Sequence, residues 1–211
     1  MVLKAEQVDG SANPSPLRML VLVGIPGSGK SSVAVILAGR GWVVISPETF
    51  GSSKRCEESA SKALARGECV AIDRCNLGRS QRRNWVRICT EAGLGPQACS
   101  CLFLDIKTDV CCRRVSDRFR HPSLTGRLRA EVDAVRHMSG QLQPPHKSEG
   151  FRAYVRVQSN EDLAVALSAL LDPAPELPGS EMGRKKTLRP EGGKAPEPLR
   201  RGGDEDEEEE E

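Results

Sequence analysis

Short apolar runs alternate along residues 17–171 with longer segments in which apolar residues recur every three or four positions. The runs predict five β-strands, at residues 19–23, 42–45, 69–72, 99–104 and 153–157. The intervening segments predict helices, because that spacing places apolar side chains on one face of a helix. Strand and helix alternate throughout, which indicates a parallel sheet. The predicted fold class is therefore α/β, a parallel sheet of about five strands with helices on both faces.

The first predicted strand ends in a glycine-rich segment that fits the phosphate-loop (P-loop) motif at every required position. Residues 24–31 read Gly-Ile-Pro-Gly-Ser-Gly-Lys-Ser, and Val33, Ile36 and Leu37 follow at helical spacing. Glycines allow successive backbone N–H groups to turn inward around an anion, and the start of a helix adds its positive end. This strand, loop and helix predict a P-loop NTPase-type fold that binds ATP. The predicted nucleotide-binding residues are Gly24, Ile25, Pro26, Gly27, Ser28, Gly29, Lys30, Ser31 and Ser32.

Within that loop, two side chains have predicted chemical roles. Lys30 is expected to reach the β- and γ-phosphates of ATP, and the Ser31 hydroxyl is expected to hold Mg²⁺. The alternative is a glycine-rich turn that only begins a helix. The complete motif in its strand–loop–helix context favours nucleotide binding.

Composition divides the chain into three predicted segments: a disordered leader at residues 1–16, a domain at 17–171 and a disordered tail at 172–211. The domain contains 23 Lys and Arg against 14 Asp and Glu, a net charge of +9, whereas the whole chain has +2. The last eight residues are all acidic. A basic domain favours a polyanionic partner such as nucleic acid, and a solvated basic surface fits the charge almost as well. The acidic end is expected either to keep the chain soluble or to contact repair-protein partners.

The eight cysteines contain no CxxC pair and match no zinc ribbon or finger. We expect them to be reduced thiols, several of them packed as small core residues. The sequence contains no predicted signal peptide and no apolar run of membrane-spanning length, so we expect a nuclear or cytoplasmic protein with no membrane partner.

Carboxylates follow three of the predicted strands, where ligands bind in sheets of this type. Asp73 is the first candidate for the carboxylate that holds Mg²⁺ beside Ser31, and Asp105 is its competitor. Glu48 follows the second strand and is the candidate base that takes the proton of an acceptor hydroxyl. It could equally be an ordinary glutamate in the first turn of a helix, and Asp73 could have only a turn role.

Four arginines precede a predicted short basic lid around His121, at positions 113, 114, 118 and 120. A guanidinium over the γ-phosphate would stabilise transition-state charge, and we expect Arg118 or Arg120 to have this role. The alternative is a solvated helix face. His121, His137 and His146 lack metal-ligand spacing.

Five motifs together resemble a known kinase domain. They are the phosphate loop, residues 45–56, residues 71–76, residues 81–85 and residues 118–124. The resemblance covers about residues 18–160 and is to the kinase domain of eukaryotic polynucleotide kinase 3′-phosphatase. It is closest to the related kinase domain of plant and fungal aprataxin-like proteins.

The resemblance implies transfer of the ATP γ-phosphate to a 5′-hydroxyl end of DNA or RNA, in nucleic-acid repair. Lys30, Ser31 and Asp73 match the family's residues, and Arg118 falls where its lid arginines lie. Glu48 stands where the family has an aspartate base, so its carboxylate extends one methylene further. The sequence has neither the Asp-x-Asp-Gly motif of the phosphatase nor the His-x-His-x-His motif of the histidine-triad hydrolases, so neither activity is expected.

Two other functions remain open. One is a small-molecule kinase of the gluconate or shikimate type, since these enzymes share the loop and the sheet. The other is a catalytically weak ATP-binding interaction module.

Overall fold

The computed structural model describes residues 16–118 and 125–171, and the side chains of 125–128 are left out of the description. Five strands form one sheet in which every pairing is parallel. The strand order is β2-β3-β1-β4-β5. The strands are β1 (Met19–Val23), β2 (Val43–Ile45), β3 (Val70–Ile72), β4 (Cys99–Leu104) and β5 (Tyr154–Val157).

Seven α-helices connect the strands or follow them in the described residues. They are α1 (Lys30–Gly39), α2 (Pro47–Phe50), α3 (Ser53–Ala65), α4 (Arg79–Glu91), α5 (Thr108–Arg118), α6 (Thr125–Gln141) and α7 (Asn160–Leu171). Two 3₁₀ turns, Pro96–Ala98 and Lys147–Glu149, complete the description.

β1 lies at the centre of the sheet, and all five of its residues are buried. Alternate side chains of a strand point to opposite faces, so β1 contributes to two hydrophobic clusters. One face packs against α3 and α4, with Trp85 as its largest buried side chain. The other face packs against α1 and α7. Helices therefore cover both faces of the sheet, as the alternation of strand and helix predicts.

A third cluster ties the phosphate loop to the helices beside it. Ile25, within the loop, packs with Cys111 and Val115 of α5 and with Val135 of α6. Ile25 thus holds the loop against α5 and α6, and the loop glycines lie at the edge of the sheet.

The predicted fold class is confirmed, and the bounds of β1 and β4 are those predicted. The other three strands each begin one residue later than predicted. Ile36 was expected on the buried face of α1, but it is 43% exposed, and Ala34 is buried instead. α2 was left open only as an alternative, in which Glu48 lies in the first turn of a helix, because four residues are too few to show helical periodicity.

Residues 1–15 of the predicted leader, the predicted tail, and Arg120 and His121 of the predicted lid lie outside the described residues. All eight cysteines are free thiols, and five of them are buried: Cys56, Cys89, Cys99, Cys101 and Cys111. None of the helices in the described ranges is both long and apolar enough to cross a membrane.

Candidate active site

The phosphate loop follows β1, and Gly24, Gly27 and Gly29 all have the positive φ angles that favour glycine. At the first two, close packing also excludes a side chain. Gly24 and Gly27 have φ angles of 154° and 83°. A Cβ on Gly24 would lie 2.6 Å from Ser28 Oγ, and one on Gly27 would lie 2.6 Å from the Cys111 carbonyl oxygen. The loop therefore packs directly against the backbone of α5, and no larger side chain fits between them.

Two polar side chains of this loop, those of Lys30 and Ser28, are buried, and between them they form one hydrogen bond to described residues. Lys30 is 8% exposed, and its Nζ donates to the Ile25 carbonyl oxygen at 2.9 Å. Ser28 Oγ is buried and has no hydrogen-bond partner in the described part of the chain. The first hydrogen bond of α1 runs from Val33 N–H to the Gly29 carbonyl oxygen at 3.2 Å. The N–H groups of the residues before Val33 therefore have no acceptor within the helix. A bound phosphate would satisfy these donors, and the cradle fits one.

Asp73 follows β3 and lies beside the phosphate loop. Its N–H donates to the Ile45 carbonyl oxygen at 2.9 Å, which aligns the ends of β2 and β3. Burial raises the pKa of its carboxyl above the usual value. A hydrogen bond from the Ser31 hydroxyl and the Lys30 ammonium lower that pKa, and the Glu48 carboxylate raises it. Ser31, Lys30 and Glu48 are therefore each within electrostatic reach of Asp73.

Glu48 lies in the first turn of α2 and is exposed. The helix is capped by Ser46, whose Oγ accepts a hydrogen bond from Thr49 N–H at 3.3 Å. The Glu48 carboxylate also raises the pKa of the buried Cys56 thiol, after burial itself, while Arg74 lowers it. Glu48 is thus a first-turn glutamate and also a neighbour of Asp73, so the two interpretations of this residue are compatible.

Asp105, the competing candidate for the metal, is already partnered. Its carboxylate forms an ion pair with Arg156 at the end of β5 and accepts a hydrogen bond from Gln158 Nε2 at 3.2 Å. Asp73 instead faces the Ser31 hydroxyl. Mg²⁺ in phosphate-transfer sites is usually held by one or two carboxylate or hydroxyl groups plus substrate phosphates. In the described residues no cluster of three or more His, Cys, Asp or Glu could hold a metal ion, so Ser31 and Asp73 would need those phosphates to complete the site.

A cavity of about 380 Å³ opens on the opposite side of the phosphate loop. It lies among the loop, the ends of β4 and β5, α5 and the start of α7. Arg118 lines it, and so does Arg114, whose Nη1 donates to the Gly27 carbonyl oxygen at 3.3 Å. The sequence favoured Arg118 or Arg120, and the contact of Arg114 with the loop was missed because the arginines at 113, 114, 118 and 120 look alike in sequence.

A buried polar network supports the segment after Asp73. Asn76 has a left-handed backbone, with φ 48°, and its Nδ2 donates to the Leu22 carbonyl oxygen of β1 at 2.8 Å. Trp85 Nε1 donates to Asn76 Oδ1 at 3.0 Å, and Arg82 Nη1 donates to the Asn76 carbonyl oxygen at 3.0 Å. The Arg82 guanidinium also binds both oxygens of Glu149, at 2.7 and 2.8 Å.

Both members of that ion pair are fully buried, and neither was singled out from the sequence. Arg82 did carry a signal: it lies three residues before Trp85 and so falls on the buried side of α4. Glu149 carried none, because its partner is 67 residues away.

The sheet order, the phosphate loop after the central strand and the flanking helices together define the P-loop kinase fold. A gluconokinase from Sinorhizobium meliloti 1021 superimposes with a TM-score of 0.52 at 20% identity, covering 77% of this chain and 95% of that one. A fungal RNA kinase gives a TM-score of 0.57 at 16% identity, with 77% and 92% covered. Kti12 from Chaetomium thermophilum, solved in complex with ADP-AlF₃, gives 0.52 at 13% identity, with 74% and 99% covered.

Two curated proteins are similar in sequence. The protein named transcription factor bHLH140 from Arabidopsis thaliana is 31% identical over 180 residues, which are 80% of this chain and 19% of that protein. A nucleotide-binding protein from Pseudomonas putida (strain GB-1) is 32% identical over 132 residues, 61% of this chain and 46% of that one. The chain thus spans about a fifth of the first relative and just under half of the second. It matches no protein-family model.

Proposed function

We propose that this chain is an ATP-dependent polynucleotide 5′-hydroxyl kinase, which transfers the γ-phosphate of ATP to a 5′-hydroxyl end of DNA or RNA. The observation that carries the proposal is the position of Asp73. Its N–H donates to the Ile45 carbonyl oxygen at 2.9 Å, three residues before Glu48. The Ser31 hydroxyl, the Lys30 ammonium and the Glu48 carboxylate all influence the pKa of its carboxyl. A kinase needs phosphate-binding donors and a proton acceptor in one place, and this edge of the sheet supplies both.

The nucleotide would occupy the β4–β5 side of the loop. The cavity there offers space beside the loop glycines, and Arg114 and Arg118 supply positive charge at its wall. The phosphates would then lie on the N–H groups at the start of α1, in reach of Lys30 Nζ, which would exchange its bond to the Ile25 carbonyl for a phosphate oxygen. Ser31 and Asp73 would hold Mg²⁺, which when bound neutralises charge on the transferring phosphoryl group.

The acceptor would enter from the β2–β3 side. Glu48 is exposed there, so an incoming hydroxyl can reach its carboxylate. Lys30 and Glu48 both act electrostatically on Asp73, so the proposed base and the phosphate-binding lysine share one carboxylate as a neighbour. In this arrangement Glu48 would take the proton of the 5′-hydroxyl as its oxygen attacks the γ-phosphorus. The bond from that phosphorus to the β–γ bridging oxygen would break, and ADP would leave.

Two observations support nucleic acid as the acceptor over a small alcohol. The domain has a net charge of +9, which suits a polyanion. The motifs at residues 71–76 and 81–85 form the buried network around Asn76 and Arg82, so the segments that carry the family resemblance also support the site. The fold itself is shared with a fungal RNA kinase and with a gluconokinase, so the fold does not choose between the two substrates.

The test is transfer of labelled γ-phosphate from ATP to a 5′-hydroxyl oligonucleotide, with gluconate and a panel of small alcohols as parallel acceptors. We expect labelled DNA or RNA, and a loss of at least about 100-fold with Lys30→Ala, because one charged donor to the transferring phosphate disappears. Lys62→Ala, an exposed lysine of α3, is the matched control and should retain activity.

Other outcomes would replace the proposal. Transfer to a small alcohol but to no oligonucleotide would make the chain a small-molecule kinase. ATP binding that Lys30→Ala abolishes, without transfer to any acceptor, would make it a nucleotide-binding interaction module.

A further inference from the structure

The exposed side of α4 presents a row of arginines that the proposed reaction does not use. Arg79, Arg83 and Arg87 recur at four-residue intervals and, with Ser80 and Asn84 between them, line an open concavity. We call these five residues the α4 arginine stripe. The opposite side of α4 is buried against the sheet through Trp85, Ile88 and Cys89, so the helix holds the stripe toward solvent on a rigid support.

The stripe begins at the proposed acceptor side of the site. α4 starts three residues after Asn76, whose segment leads directly from Asp73. Because β3 and β4 are both parallel to β1, α4 must run from the site edge of the sheet back to the opposite edge. Arg79 is therefore nearest the site, and Arg83 and Arg87 follow in steps of about 6 Å along the helix.

α4 also covers the same face of the sheet as the helix that follows Glu48 and α2. α3, which follows the short helix of Glu48, packs against α4, and both cover the same hydrophobic cluster. The cavity beside α5 and α7 is on the other side of the phosphate loop. A polymer that places its end at Glu48 would thus have α4, and not the nucleotide cavity, along its path.

The charge of the stripe is largely uncompensated. Arg83, at its centre, has no ion-pair or hydrogen-bond partner among the described residues. Arg79 Nε lies 3.7 Å from Glu149 Oε1, but that carboxylate is already bound bidentately by Arg82. Arg87 contacts Asn84 and pairs with Glu91, which lies beyond the end of the stripe farthest from the site.

The chemistry of the stripe suits phosphates spaced along a strand. Its five side chains are three guanidinium groups, a hydroxyl and a carboxamide, all able to donate hydrogen bonds to phosphate oxygens. It contains no aromatic ring on which a base could stack and no carboxylate. Such a surface positions a backbone without reading its sequence.

We propose that the α4 arginine stripe binds the sugar–phosphate backbone of the acceptor strand, on the 3′ side of the end that Glu48 addresses. This inference rests on the proposed function, and it adds that the acceptor is a polymer several nucleotides long whose recognition is independent of sequence. A mononucleotide would reach the catalytic groups without touching the stripe.

The first test measures affinity without catalysis. A fluorescent 12-nucleotide strand with a 5′-phosphate, single-stranded or within a duplex, is titrated with the wild-type protein and with the triple variant Arg79→Gln/Arg83→Gln/Arg87→Gln. We expect the Kd of the variant to rise at least about tenfold near 0.1 M salt. The slope of log K against log salt should shrink by about 2 for a single strand, which is the loss of three phosphate contacts.

The control is Arg40→Gln, an exposed arginine at the end of α1 on the other face of the sheet. It removes a positive charge as Arg83→Gln does, and it should leave both affinity and salt slope unchanged. If the triple variant has the same affinity and salt slope as Arg40→Gln, the stripe does not bind the strand. Equal losses in Arg83→Gln and Arg40→Gln, which each remove one charge, would do the same, because net charge alone would then explain binding. Thermal unfolding of each variant establishes that the substitutions have not altered the fold.

The second test separates this inference from the proposed function. With labelled ATP, the triple variant should raise KM for the 12-nucleotide acceptor and leave kcat/KM for a nucleoside 3′-monophosphate unchanged. If the wild-type protein labels the long strand and the variant has the same KM for it, the stripe does not bind the acceptor, and the proposed kinase function still stands. If the wild-type protein labels no nucleic acid, the proposed function is wrong, and so is the acceptor role of α4.

Discussion

At the scale of single residues, the two carboxylates of the candidate site differ in their surroundings. Asp73 is half-buried, with the Ser31 hydroxyl bonded to it, whereas Glu48 is exposed on a four-residue helix. A buried carboxylate beside a hydroxyl suits a fixed metal ligand, and an exposed one suits a base that must meet a substrate. The proposed roles follow from that difference in exposure.

Replacing Glu48 tests the role of the base. We expect Glu48→Gln to lower kcat for phosphate transfer by about 10²- to 10⁴-fold, the usual contribution of a general base. ATP affinity should change little, because Glu48 lies on the acceptor side and does not line the cavity beside α5. The measurements are single-turnover transfer and equilibrium titration with ATP.

Glu58→Gln, on the exposed surface of α3, is the matched control for the loss of one negative charge. A Glu48→Gln protein that keeps full turnover would move the base to another residue. One that loses ATP affinity and turnover together would give Glu48 a structural role.

Replacing Asp73 tests how far burial of its carboxylate lowers the free energy of unfolding. Because its pKa is raised in the folded protein, the protonated carboxyl stabilises the fold at low pH, and that contribution is lost as pH rises through the folded pKa. At neutral pH the ionised Asp73 therefore lowers stability. We expect Asp73→Asn to raise the free energy of unfolding of the nucleotide-free protein by up to about 1 kcal/mol at pH 7. The same change should abolish Mg²⁺-dependent transfer.

Urea unfolding at neutral and mildly acidic pH checks this expectation. The two proteins should converge in stability as acid protonates Asp73 in the wild-type chain. A variant less stable than wild type at pH 7 would contradict it, since the carboxylate would then be a net stabilising group.

At the scale of elements, the Arg82–Glu149 pair joins α4 to the 3₁₀ turn before β5. Arg82 also donates to the carbonyl oxygens of Asn76 and Leu77, both at 3.0 Å. Glu149 in turn accepts a hydrogen bond from His146 N–H at 3.0 Å. One guanidinium thereby fixes the segment between β3 and α4, which carries Asp73 at its start.

Breaking this pair should be costly. Arg82→Met leaves the Glu149 carboxylate buried without its partner, and we expect it to lower the free energy of unfolding by about 3–5 kcal/mol. The double variant Arg82→Met/Glu149→Leu should recover part of that loss, because no uncompensated charge remains. Chemical unfolding of the single and double variants gives the coupling.

The neighbouring Arg83→Met is the control, since Arg83 is exposed and its replacement should change stability by no more than about 0.5 kcal/mol. If Arg82→Met costs as little as Arg83→Met, the buried pair does not persist in solution.

At the scale of the whole molecule, the sheet and the position of the site could be predicted from sequence. β1 and β4 are fully buried, so each appears as an uninterrupted apolar run with clear ends. Parallel strands bring their carboxyl ends to one edge, which is why Glu48 and Asp73 could be placed near the loop before any coordinates.

Features that depend on distant partners could not be predicted. The Arg82–Glu149 pair joins residues 67 positions apart, and a single buried charge pair leaves no periodic pattern. The contact of Arg114 with Gly27 spans 87 positions and exists because the missing side chain of Gly27 lets α5 approach the loop. The arginines of the α4 arginine stripe were not singled out from the sequence, because their common exposure follows from which side of α4 packs on the sheet.

The central place of β1 has a consequence for biosynthesis. β1 needs β3 on one side and β4 on the other, and the second of these is completed only at Leu104. A nascent chain that has emerged to residue 98 thus carries the entire phosphate loop on a strand with one open edge. Gly27 of that loop gains the backbone of α5 as a packing surface later still, so the loop reaches its described geometry only once residues 108–118 have been synthesised.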